Sequence, residues 1–233
     1  MLDTLANKLM IKGSFYGLCL LIYSTSPCAD DMEYTTVLTY KTKYLAKIGA
    51  TVDTNVFQPY FEAKSKSGFY SSLWLNIPLE HGNPNKSIEV EPSIGYISHF
   101  EGWTLNTSLT LFDIENPDTL DFDGDMIGSK IRVENSMMYF EVLHYTADDN
   151  NNGLLSEIGT ELKFFEKEKI FVNLSYVDGP LHFKPIIFSK VKLVRPIDNS
   201  NFSFSLELLN VIDKKSSQDV RKDGVSLGIS YAF

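Results

Sequence analysis

The chain ends in Gly224-Val-Ser-Leu-Gly-Ile-Ser-Tyr-Ala-Phe233, and the reading of this stretch decides the fold. Val225, Leu227, Ile229, Tyr231 and Phe233 fall on one face, with Ser226, Gly228, Ser230 and Ala232 on the other. A period of two puts alternate side chains on opposite faces of an extended strand, whereas a helix repeats its apolar positions every three or four residues. The run is about ten residues long, the length of a strand that crosses a bilayer at a tilt. The same alternation recurs upstream. Phe202, Phe204, Leu206 and Leu208 oppose Ser203, Ser205 and Glu207. Ile170, Val172, Leu174 and Tyr176 oppose Asn173 and Ser175, and Trp103, Leu105, Leu109 and Leu111 oppose Thr104, Asn106, Ser108 and Thr110.

Twelve such runs occur from Tyr34 onward, at 34–45, 57–64, 69–78, 87–98, 103–112, 126–134, 137–146, 155–165, 169–176, 182–193, 201–209 and 224–233. Apolar residues occupy both faces at 34–45, 137–146 and 182–193, where the pattern is weakest. The gaps alternate in length. Long ones (46–56, 79–86, 113–125, 147–154, 177–181, 210–223) interleave with short ones (65–68, 99–102, 135–136, 166–168), and 194–200 is the exception. Long loops at one end and tight turns at the other mark an outer-membrane barrel. The reading is therefore all-β: a single antiparallel up-and-down transmembrane β-barrel of 12 strands over residues 30–233. An even count leaves both termini on the tight-turn side, the periplasm.

Composition agrees. Hydrophobic residues make up 43% of the chain, too many for disorder, and 16 Phe and 12 Tyr make it rich in aromatic rings. Asp and Glu exceed Lys and Arg by 30 to 21, a net charge of −9 that excludes nucleic acid as a partner. Mean hydropathy is −0.10 and no apolar run reaches the ~18 residues of a spanning helix. Alternating strands average out in any such window, so this excludes helices and not a barrel.

Residues 1–29 read as a signal peptide. Lys8 and Lys12 precede the apolar stretch Phe15-Tyr-Gly-Leu-Cys-Leu-Leu-Ile-Tyr23, and small residues follow. Both cysteines, Cys19 and Cys28, fall inside this segment, so processing removes every thiol and with it any disulfide or cysteine metal site.

The two faces differ in chemistry. The apolar faces are nearly free of charge. The opposite faces carry the acids Glu62, Glu89, Glu91, Glu134, Glu141, Glu157, Glu161 and Glu207, nearly balanced by Lys64, Lys130, Arg132, Lys163, Lys184, Lys190 and Lys192. A Lys or Arg on the lipid side at the midplane costs ~2–4 kcal/mol, so these groups are expected to line the lumen. Their near balance predicts cross-strand pairs on the wall. Aromatic residues near the tight turns, at Phe69, Tyr70, Phe100, Trp103, Phe164, Phe171 and Phe233, are expected to form a girdle at the interface. A soluble β-barrel alternates too, with its apolar face turned inward. Alternation alone does not separate the two. The leader, the missing cysteines, the girdle and the terminal Phe233 favour the membrane.

Two resemblances add to this. The last strand, with Val225, Leu227, Ile229, Tyr231 and Phe233, resembles the C-terminal signal by which bacterial outer-membrane proteins engage the barrel-assembly machinery. Ser67-Gly-Phe-Tyr-Ser-Ser-Leu-Trp74-Leu-Asn76, followed by Ile88-Glu-Val-Glu91-Pro-Ser-Ile-Gly95-Tyr96, is similar to the first hairpins of the TorF family of outer-membrane porins. The first strand and loop, Tyr40-Lys-Thr-Lys-Tyr-Leu-Ala-Lys47, depart from that family's Arg-Gly ending. The resemblance implies a porin in the outer membrane, in contact with its lipid and lipopolysaccharide, with no assigned substrate.

Other chemistry finds less support. Asp121, Asp123 and Asp125 alternate as calcium ligands do, but an EF-hand loop begun at Asp121 needs Gly and Glu where Met126 and Arg132 stand. That loop and Asp148-Asp-Asn-Asn-Asn-Gly153 read as solvated turns, and no metal or cofactor is expected. An outer-membrane lipid hydrolase needs a serine held by a histidine base. His81, His99, His144 and His182 are the available histidines; His81 lies in a loop and His99 at a turn, and no serine in a recognisable spacing accompanies His144, so the expectation is no enzyme. The expected activity is passive diffusion of small solutes or ions, weakly cation-selective because loop 113–125 is acidic. The alternative is a plugged barrel with a structural or adhesion role. Side chains and the 113–125 loop are expected to narrow the pore.

Overall fold

Backbones extended by period-two patterning pair edge to edge, and here they pair until no edge is left. A computed structural model describes residues 32–45, 51–79, 88–114, 126–147, 152–164, 167–178, 185–212 and 223–233. Its strands are β1 (Met32–Lys41), β2 (Tyr44–Leu45), β3 (Thr51–Val52), β4 (Val56–Ser65), β5 (Phe69–Pro78), β6 (Glu89–Phe100) and β7 (Trp103–Ile114). They continue as β8 (Met126–Glu134), β9 (Met138–Ala147), β10 (Asn152–Phe164), β11 (Glu168–Asp178), β12 (Ile186–Pro196), β13 (Phe202–Val211) and β14 (Gly224–Ala232). Twelve of them form one closed antiparallel barrel, each beside its sequence neighbour, and β1 pairs with both β4 and β14. No helix occurs among the described residues.

The first and tenth runs need correction. The pattern predicts one strand over 34–45, but β1 stops at Lys41, and Tyr44–Leu45 leave the wall to form a two-stranded ribbon with Thr51–Val52. The chain turns because Leu45, 3% exposed, gains a buried apolar setting that the wall does not offer. The tenth strand lies later than 182–193, at Ile186–Pro196. The leader with its cysteines, loop 115–125 and residues 148–151 lie outside the described residues, as do His81, His182 and Lys184.

Tight turns close one end, each with its own chemistry. Glu101 and Gly102 both have positive φ (45° and 83°), the backbone a two-residue hairpin requires. Asn135 Oδ1 accepts from the N–H of Met137 and of Met138, both at 2.9 Å. Lys167 Nζ donates to Asp198 Oδ1 at 2.6 Å, and the ammonium holds that carboxyl below its ordinary range. The start of β1 and the end of β14 lie at this same end, where the N–H of Phe233 donates to the carbonyl of Thr36 at 2.9 Å.

Closure assigns the two faces. Large apolar side chains stand exposed around the outside, among them Ile131 (56%), Leu162 (52%) and Leu227 (56%). A soluble barrel would bury these side chains, so the arrangement is that of a barrel solvated by hydrocarbon. Phe69, Phe100, Trp103 and Phe233 are exposed near the turns. Tyr70 is not in this girdle. It is 5% exposed and points inward, because Gly95 directly opposite leaves room for its ring. Phe171 shares the inward face of Asn173 and Ser175, and the side chain of Phe164 is outside the described set.

A second ring lies on a glycine in the same way. Tyr139 faces Gly159, where an added Cβ would come within 2.4 Å of the ring. Gly159→Val should therefore destabilise the barrel by roughly 1–3 kcal/mol through overpacking, read as a lower urea midpoint for refolding in detergent.

Candidate functional site

Inside the barrel, polarity changes with depth. At the long-loop end the inward side chains of β9 to β13 are apolar, whereas β5 and β6 place Asn76 and Glu89 there. Leu143, Tyr145, Leu155, Val177, Ile186, Phe188, Leu209 and Val211 form one buried cluster with Leu45, and Phe112 packs against it. The Phe112 and Tyr145 rings lie 5.4 Å apart.

The ribbon segment crosses the lumen at this cluster, to which it contributes Leu45. The carbonyl of Lys43 accepts from Ser226 Oγ at 2.7 Å, which anchors the segment to β14. Tyr44 OH donates to Glu89 Oε2 on β6 at 2.8 Å, and its ring lies 6.0 Å from that of Trp74 on β5. The next residue reaches the other wall, where Lys190 Nζ on β12 donates to the carbonyl of Leu45 at 3.1 Å. β6 and β12 are six strands apart whichever way the ring is followed, so the segment spans a diameter. The described constriction is thus made by the first long loop. The 113–125 loop, expected in that role, lies beyond the described residues from 115 on.

This strap forms part of the lining of a cavity of about 510 Å³. Its walls carry Tyr44, Tyr60, Tyr70, Trp74 and Tyr145 among acids, lysines and amides. Each strand delivers these by alternation: Gln58, Tyr60 and Glu62 are successive inward positions of β4, and Tyr70, Ser72 and Trp74 those of β5. Hydrogen bonds fix the wall. Gln58 Nε2 donates to Asn76 Oδ1 at 2.9 Å, Tyr60 OH to Glu62 Oε2 at 2.5 Å, and Tyr70 OH to Asn106 Oδ1 at 2.9 Å.

The charged positions of the sequence distribute as follows. Glu62, Glu89, Glu91, Lys130, Lys190, Lys192 and Glu207 line the cavity. Arg132 bonds Glu134 at 2.7 Å and Glu141 at 3.6 Å, with its guanidinium 3.8 Å over the Tyr139 ring. Glu157 accepts from Tyr139 OH at 2.6 Å and from Ser175 Oγ at 2.7 Å. Glu161 pairs with Lys169 at 2.8 Å. Lys64 shares the face of Glu62, opposite Tyr70, and Lys163 stands exposed opposite Lys169. In the terminal strand Val225 and Leu227 are exposed on the outer face, Ile229 is half-buried, and the Tyr231 ring lies 4.6 Å from Phe202 and 4.5 Å from Phe233. His144 is exposed, and His99 Nδ1 lies 2.9 Å from Thr104 Oγ1.

Charge marks only part of the lumen face, and aromatic residues share it. Tyr60, Trp74 and Tyr139 occupy the same alternating positions as Glu62, Asn76 and Glu141, and that parity was the available signal. Lys41, the last residue of β1, also faces the lumen. It forms a two-pronged contact with Glu207, at 3.0 and 3.1 Å, while Lys192 reaches the same carboxylate at 3.3 Å. The Lys41 and Glu207 side chains are 14% and 4% exposed. Glu207→Gln would leave two ammonium groups facing each other in a shielded wall. The expected cost is about 3 kcal/mol, read as a lower denaturant midpoint, with recovery in Glu207→Gln/Lys41→Met.

No family model matches the sequence, and no curated protein matches it. Solved structures do. A KdgM porin aligns with 85% of this chain and 99% of its own at a TM-score of 0.57 and 14% identity. A NanC porin aligns with 85% and 99% at a TM-score of 0.52 and 9% identity. At such identities the likeness is one of fold: this chain is built as small porins are built.

Proposed function

We propose that the protein is an outer-membrane porin through which small solutes and ions diffuse passively. The observation that carries this reading is a cavity lined by charged, amide and aromatic side chains inside a closed barrel whose outer surface is a belt of exposed apolar side chains. The porin fold of the KdgM and NanC structures supports it, and so does the resemblance of residues 67–96 to the TorF family. Transport here needs no catalytic group and no cofactor, only water, width and field. Partners on this reading are the solutes themselves, outer-membrane lipid and lipopolysaccharide, and the assembly machinery that reads the terminal strand.

The wall acids and bases nearly balance, so the bias comes from the acidic loop 113–125, with Asp113, Glu115, Asp118, Asp121, Asp123 and Asp125. A negative mouth over a nearly neutral lumen favours cations weakly. A second reading, a barrel stopped at its loop end with a structural or adhesion role, is favoured by the apolar cluster and the strap.

Planar-bilayer recordings decide between them. The first reading expects a small conductance, a cation preference that fades toward about 1 M salt as the Debye length falls to ~3 Å, and a larger conductance when residues 43–53 are replaced by a short Gly-Ser link. Anion preference would overturn the selectivity, and silence in both forms would establish the stopped barrel. Orientation has its own test: a cysteine at Asp118 should react with an impermeant maleimide on whole cells and one at Lys167 should not, as expected for outward loops and periplasmic termini.

A further inference from the structure

Charge is uneven across the cavity: Glu62, Glu89 and Glu91 lie on β4 to β6, Lys41, Lys190 and Lys192 lie on β1 and β12 with Glu207 of β13 among them, and Lys130 lies on β8. On β4 to β6, Tyr60 stands opposite Trp74 and Trp74 opposite Glu91, a row of two rings and a carboxylate on three neighbouring strands. Tyr44 adds a third ring and holds Glu89 one position along β6. Aromatic faces beside carboxylates are the surroundings that an organic ammonium group prefers, since ring quadrupole and charge both attract it while the rings replace poorly held water. The diametrically opposite strand, β12, presents Lys190 and Lys192 to the same cavity. The strap shows that the two walls meet at one level, because adjacent residues of it touch Glu89 and Lys190. A volume of about 510 Å³ lies within the usual range for a small-molecule site, roughly 300–1,000 Å³.

We propose that this cavity is a binding site for a small zwitterion, with its ammonium or quaternary ammonium on the Trp74 and Glu91 wall and its carboxylate on the Lys190 and Lys192 wall. A betaine, an amino acid or a short peptide has this chemistry. A simple cation or anion satisfies one wall only. The proposal rests on the channel reading, in that solute must reach the lumen, but it is tested without any current.

The chain holds 2 tryptophans, so Trp103→Phe on the outer face leaves Trp74 as the sole reporter. The refolded variant in detergent is titrated with glycine betaine, tetramethylammonium chloride and sodium acetate while Trp74 emission is followed. Saturable change with betaine, about tenfold tighter than with either single ion, is expected. Lys190→Met should bring betaine down to the tetramethylammonium level, and Lys190→Arg should restore it. Equal or unsaturable responses to all three solutes would overturn the proposal. So would betaine binding that Lys190→Met leaves unchanged in a barrel whose circular dichroism is intact. Saturable binding in a barrel that passes no current would retain the site and remove only the channel.

Discussion

A sheet immersed in hydrocarbon has no water to satisfy its first and last strands, so it must pair them with each other. Here the seam between β1 and β14 does this, from Val37 opposite Ala232 to Lys41 opposite Gly228, with Thr39 and Ser230 sharing a side-chain hydrogen bond at 2.8 Å. The seam runs past the end of β1. The N–H of Thr42 donates to the carbonyl of Leu227 at 2.9 Å, Thr42 Oγ1 accepts from the Leu227 N–H at 3.0 Å, and Ser226 Oγ takes up the Lys43 carbonyl. That continuation aims the first loop into the lumen. Closure and constriction are consequences of one set of contacts.

Once the barrel is closed, the inward face has to solvate its own charges. Water supplies part of this, and neighbours in register supply the rest. Arg132 and Glu141 are directly opposite on β8 and β9, as are Lys192 and Glu207 on β12 and β13. Cross-strand neighbours on one face lie close enough for such pairs to form without bending either strand. Tyrosines do the same work where bases are lacking, with Tyr44, Tyr60 and Tyr139 each donating to a glutamate. The wall is stiffened by these bonds, which hold each charge beside its partner.

The apolar lining of β9 to β13 near the long loops has a different origin. Near the long loops, inward positions such as Leu155, Val177, Ile186 and Phe188 are shielded by one another and by Leu45. Apolar area removed from water stabilises by about 25 cal/mol per Å², so a loop that brings in one leucine gains where a solvated loop does not. The strap is held by this burial at Leu45 and by hydrogen bonds on either side of it.

The twelve strands and the alternation of long and short connections were legible in the sequence, because period two and turn residues are local properties that each segment carries by itself. So was the segregation of charge onto one face, as at Glu157, Glu161 and Lys163 along β10. What lay beyond it were relations between distant segments. Whether the charged face turned inward required the barrel to close, since alternation reads the same from either side. The inward turn of Tyr44 and Leu45 depended on Trp74, Glu89 and Lys190, residues remote in the chain and on opposite walls. Tyr70 looked like a girdle residue beside its turn until Gly95, a strand away, opened the space for its ring. Local pattern determines which residues form strands and which faces they share. Only tertiary closure decides what those faces meet, because that depends on which strands end up six apart across a ring.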